Sequence, residues 1–77
     1  MTLKQSKTNS RVKVTTMNLD DANERHLEVM GMIEGTPINV LNNDKKGAMI
    51  IQVRGSRFAI GKKIAQNIIV EEIESNE

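Results

Sequence analysis

The sequence predicts a mainly β domain: a small barrel of about five strands, with a helix after the first strand and a short helical turn before the last. Three observations predict it. Short stretches of two-residue alternation recur along the chain and mark half-buried strands. One stretch, Asn18–Met30, breaks that period, contains no Gly or Pro, and stops at Gly31. The segments run strand, helix, then several strands on short links; helices do not alternate with strands, so a parallel sheet is not expected. A flat sheet this small is marginal alone, and curling it buries one face of each strand and protects the edges.

The first strand is Ser10–Met17. Val12, Val14 and Thr16 share one face, and Arg11, Lys13 and Thr15 the other. Thr8-Asn9-Ser10 before it carries turn residues. In Asn18–Met30, Asn18 or Asp20 can cap a helix of about ten residues by accepting an orphan N–H of the first turn. Asp20, Asp21 and Glu24 suit the positive end of the helix dipole. Ala22, Leu27 and Met30 share a face, with Asn23 or the stem of His26 beside them. Gly31 ends the helix as a left-handed C-cap residue does.

Thr36–Asn42 is the next strand, with Ile38 and Val40 inward. Pro37 lacks an N–H for the ladder, which assigns it to a strand start or a sheet edge. Asn42–Gly47 is a polar hairpin loop that includes Lys45 and Lys46. Ala48–Arg54 alternates Met49, Ile51 and Val53 with Ile50, Gln52 and Arg54. Gly55-Ser56 reads as a two-residue turn with Gly first, the type II′ pattern. Arg57–Ile60 pairs back with Phe58 and Ile60 on one face. Gly61–Gln66 is one helical turn that Asn67 can end in the left-handed region, and Ile68–Ile73 is the last strand.

The chain has 77 residues, which allows one small core and no second. Residues 1–73 are read as that single domain and residues 74–77 as an acidic tail. Cysteine, tryptophan and tyrosine are absent, and Phe58 is the only aromatic residue. Without Cys there is no disulfide framework, Cys-ligated zinc, iron–sulfur cluster or thiol nucleophile. Met1–Arg11 lacks an apolar h-region, and the longest apolar run, Ala48–Ile51, is far short of a membrane span. A soluble, cytoplasmic protein, not membrane-embedded, is expected. All 11 Lys and Arg precede Gln66, while Glu71, Glu72, Glu74 and Glu77 crowd the end. Residues 1–70 therefore carry +5 and residues 71–77 carry −4.

No constellation of side chains supports catalysis. His26 is the only histidine, its i±4 neighbours Ala22 and Met30 are not hard ligands, and one ligand does not make a metal site. No Gly-x-Ser-x-Gly elbow occurs, Asp20-Asp21 suits a helix start, and Glu71-Glu72 suits a solvated strand end. Gly31-Met-Ile-Glu-Gly35 lacks the phosphate-cradling pattern. The expectation is a non-enzyme with no catalytic residue, metal ligand or cofactor. Arg54, Arg57, Lys62 and Lys63 form a local basic group. Binding of nucleic acid is the weaker reading of it, because Phe58 points inward and no stacking platform remains. Met17, Met30, Met32 and Met49 fill core gaps, or, where Met30 and Met32 flank Gly31, offer an adaptable partner surface.

From Arg25 onward the sequence resembles the ferrous iron transport protein A (FeoA) family. That family carries an Arg-x-Leu-x-x-Leu-Gly-Leu-x-x-Gly-x-x-Val-x-Val stretch, matched here by Arg25–Val40. The likeness continues through Gln52-Val53-Arg54-Gly55, Phe58-Ala59-Ile60-Gly61 and Ala65–Val70, and Met1-Thr2-Leu3 resembles the family's start. Met30 and Met32 stand where the family has leucines, and Thr8-Asn9-Ser10 where it has a Pro-Gly turn. The resemblance implies an SH3-like barrel with a helical insertion after the first strand. It implies a cytoplasmic accessory protein of bacterial ferrous iron uptake. Its expected partner is the large membrane transporter (FeoB) that carries a cytosolic GTPase domain. The resemblance also brings transition-metal binding into view, for which the sequence offers no ligand cluster.

The leading expectation is thus a regulatory or assembly module that docks on the transporter's cytosolic part, with Met30, Met32, Arg54 and Arg57 as exposed contacts. The alternatives are a small basic barrel that binds nucleic acid and a transition-metal-responsive sensor. A monomer or weak homo-oligomer is expected, with Pro37 guarding one strand edge.

Overall fold

The computed structural model describes residues 1–44 and 47–73. Lys45, Lys46 and the acidic tail at 74–77 lie outside the described residues. The strands are β1 (Arg11–Met17), β2 (Pro37–Asn42), β3 (Met49–Val53), β4 (Ser56–Ile60) and β5 (Ile68–Glu72). Helix α1 spans Asp21–Val29 and α2 spans Lys62–Ala65; a 3₁₀ turn at Leu3–Gln5 precedes β1. All pairings are antiparallel in the order β4-β3-β2-β1-β5.

The sheet is mainly β and SH3-like in plan, but it does not close: β4 and β5 are its two edges. It wraps instead around one core. Val12, Val14, Ile38, Val40, Met49, Ile51, Val53, Ile60, Ile68 and Val70 come from the strands, and Leu3, Leu27, Met32 and Ala65 plug it from outside the sheet. Two register shifts, at Val14/Thr16 and Val40/Asn42, bend β1 and β2, as bulges do. The first explains a departure from the predicted alternation. Thr16 is exposed and Met17 packs against the core, because the extra residue flips the phase after Val14.

Local chemistry accounts for the elements. Asp20 caps α1 by accepting from the Asn23 N–H at 2.9 Å. At the other end, Gly31 (φ +90°) lets its N–H reach the Glu28 carbonyl and the Met32 N–H reach Leu27, both at 2.9 Å. This is the paired bonding of a Schellman motif. Asn9 takes the left-handed region before β1 (φ +69°), a conformation Asn tolerates. Asn43 ties the start of the chain to the end of β2. Its Nδ2 donates to the Lys4 and Ser6 carbonyls at 2.9 and 2.6 Å, and its N–H to Thr8 Oγ1 at 2.9 Å. Across β1 and β5, Lys13 pairs with Glu71 at 3.4 Å, an exposed ion pair.

Three expectations are corrected. The β3–β4 turn is Arg54-Gly55, not Gly55-Ser56: both have positive φ (+52° and +84°), and Val53 pairs directly with Ser56. Two positive φ values make the I′ pattern, whose twist suits a hairpin. Pro37 opens β2, which is interior to the sheet, so it guards no edge; the strand-start position spares the ladder its missing N–H. Asn67 keeps a negative φ and instead donates from Nδ2 to the Lys63 carbonyl at 3.1 Å.

Candidate functional site

The residues singled out for docking gather where α1 ends and the β3–β4 hairpin turns. Arg54, raised into the left-handed region by the I′ turn, extends its side chain across Gly31. Its Nε donates to the Gly31 carbonyl at 3.0 Å. That carbonyl also takes a long contact from Thr36 Oγ1 at 3.4 Å. Arg54 thereby reaches the residue that follows Met30, and Arg57 stands exposed on β4. A guanidinium at the carbonyl end of α1 also complements the helix dipole.

Met32 does not join them. It is 0% exposed and belongs to the core, so it has no surface to offer. The reason is the Schellman geometry, which folds the chain after Gly31 back so that Met32 drops beneath Leu27. Met30 is half-buried against the core. Its exposed companions are Val29, 82% exposed, and Ile33, 45% exposed. Single exposed aliphatics are ordinary, but these two flank the same helix stop.

Beside this patch runs a cleft of about 140 Å³. One wall is an α1 stripe of Asn23, His26, Leu27 and Met30, at the i, i+3, i+4, i+7 spacing of one helix face. The other wall is the end of β4 and the start of α2: Ala59, Ile60, Gly61 and Ile64. Leu27 and Ile60 are buried at its floor, while Met30 and Ile64 are half-buried. The sequence pointed to Met30 and to the exposed His26. It did not reveal the cleft, because Ala59, Gly61 and Ile64 meet α1 only through the tertiary fold. The i+3, i+4 stripe was the one local signal for it.

The segment that supplies the sheet wall is basic: it carries Arg54, Arg57, Lys62 and Lys63, and no Asp or Glu occurs in the sequence between Asp44 and Glu71. The Lys62 ammonium donates to the Asp44 carbonyl. Among the described residues no three His, Asp or Glu side chains converge as a metal site. Nor does any helix among them have the length and apolarity to cross a membrane. The α1–β4 face thus combines an apolar cleft, the half-buried Met30 and the exposed Arg54 and Arg57.

A model of the FeoA domain matches residues 1–72. The chain belongs to the FeoA family. Membership supports a role in ferrous iron transport. Among solved structures, an iron uptake regulatory protein (FeoA) is 30% identical over 95% of this chain and 97% of that one, with a TM-score of 0.88. The FeoA of Stenotrophomonas maltophilia, solved with zinc and described as a prokaryotic SH3 domain protein, is 22% identical. The match covers 92% of this chain and 89% of that one, with a TM-score of 0.75. A manganese-dependent transcriptional repressor shares the fold at 17% identity and a TM-score of 0.83. There the match takes in 95% of this chain but only 41% of the repressor. No curated protein matches.

Proposed function

We propose that this chain is a non-enzymatic accessory protein of ferrous iron uptake. It docks on the cytosolic, GTPase-containing part of a membrane Fe(II) transporter and regulates or assembles it. The observation that carries the reading is the pairing of exposed Val29 and Ile33 and half-buried Met30 with the cationic hairpin of Arg54 and Arg57, in a chain of the FeoA family. Apolar anchors ringed by charge are what a protein–protein contact needs. The S. maltophilia relative, discussed as a ferrous iron transport activating factor, is in keeping with such a role.

Docking of this kind acts by binding one conformation of the transporter better than another, which shifts its conformational or GTPase equilibrium. Arg54 is held by its bond to Gly31, so little of its side-chain freedom is lost on binding. Titration calorimetry of the chain against the transporter's isolated cytosolic part tests the reading. Saturable heat in the micromolar range supports it, and no heat at high micromolar concentration overturns it.

A further inference from the structure

The two edges of the sheet are treated differently. The outer edge of β5 is covered by the chain's own start: Thr2 bridges Ile69, and the Val70 N–H donates to the Met1 carbonyl at 2.8 Å. The outer edge of β4 carries no such cover among the described residues. In a two-residue hairpin the residues flanking the turn, Val53 and Ser56, exchange both backbone bonds, and bonded pairs then alternate along the ladder. Phe58 and Ile60 therefore bond inward to Ile51 and Met49. Arg57 and Ala59 turn their N–H and C=O groups outward, away from β3. These are four backbone groups in the spacing of one further strand.

That open edge borders the cleft. Ala59 and Ile60 form its sheet wall, and Leu27 and Met30 of α1 form the wall opposite. Phe58, on the inner face with Ile60, is only half-buried. The geometry points to strand addition: an extended segment of a partner protein pairs with β4 through Arg57 and Ala59 and seats a side chain in the cleft beside α1. Side chains alternate between faces of a strand, so the added segment is specified residue by residue. Positions facing inward beside Phe58 and Ile60 are apolar and bury against Leu27 and Met30. Positions on the outer face lie beside the exposed Arg57 guanidinium, which acidic residues complement. The occupant is thus an extended segment that alternates apolar and acidic residues. Backbone bonds supply affinity in this mode, and the pocket supplies specificity. The assignment of that segment to the transporter rests on the docking reading above; the strand addition itself does not.

The test uses the full chain, ¹⁵N-labelled, and a synthetic peptide of alternating Leu and Glu. The expected result is slowed amide exchange at Arg57 and Ala59 and shifted resonances at Leu27 and Met30. Ala59→Pro removes an outward N–H and no bond to β3, so it keeps the sheet and is expected to weaken the peptide about tenfold. Arg57→Glu, which leaves the backbone edge intact, is expected to weaken it too and to reduce its salt dependence. Binding mapped to β1 or β5, or an Ala59→Pro chain that is folded by its amide spectrum and binds as well as the parent, overturns the proposal. The same variants are titrated against the transporter's cytosolic part. If that part binds Ala59→Pro as well as it binds the parent, docking stands and strand addition fails. If the peptide binds at β4 and the transporter's part binds neither chain, strand addition stands and the docking reading fails.

Discussion

Arg54 and Gly31, 23 residues apart, hold each other in place: Arg54 Nε donates to the Gly31 carbonyl at 3.0 Å, and the Arg54 Cδ packs against the side of Gly31 where a side chain would project. A Cβ on Gly31 would come within 2.9 Å of that carbon. The contact fastens the end of α1 to the β3–β4 turn.

The coupling is measurable. Gly31→Ala carries the left-handed penalty of about 1–2 kcal/mol and also displaces Arg54. Gly35→Ala, at a similar φ of +89° but in open space, carries the backbone penalty alone. Urea unfolding is expected to rank Gly31→Ala as the more destabilised. In an Arg54→Ala background the extra cost of Gly31→Ala shrinks, by a coupling of about 0.5–1 kcal/mol.

The two methionines that flank Gly31 are expected to separate sharply. Met32→Ala hollows the core and costs about 2–5 kcal/mol in denaturant unfolding. Met30→Ser, at a half-buried site, costs less and leaves a cooperative transition. A Met32→Ala chain as stable as the parent would contradict the packing described.

Asp20 satisfies the start of α1 by accepting from the Asn23 N–H. Asp20→Ala is expected to cost about 1 kcal/mol, read as a lower urea midpoint with an unchanged m-value. Asp20→Asn, which keeps the accepting oxygen, is expected to recover most of the loss.

Much of this fold was legible in the sequence because its signals are local. Val12 and Val14, Ile38 and Val40, and Met49, Ile51 and Val53 announce strands by alternation, and Gly31 announces a helix stop. The errors arose where a local rule had two solutions. Arg54-Gly55 and Gly55-Ser56 are both turn-like pairs, and only the Val53–Ser56 register decides between them. Thr16 follows the alternation until a bulge reverses it. Met30 and Met32 look equivalent in the sequence, and the Schellman bond from Met32 to Leu27 separates a surface residue from a core one. The cleft was not legible, since Ala59 and Ile64 approach Leu27 only when β4 and α2 fold against α1.

The central claim is that this chain acts by docking the α1–β4 face on a transporter. Its most direct test is an amide chemical-shift titration of the ¹⁵N-labelled full chain with the transporter's GTPase-containing cytosolic part. The account predicts perturbations clustered at His26, Met30, Arg54, Arg57 and Ala59, saturating in the micromolar range. A spectrum unchanged at high micromolar concentration, or perturbations confined to β1 and β5, would contradict it.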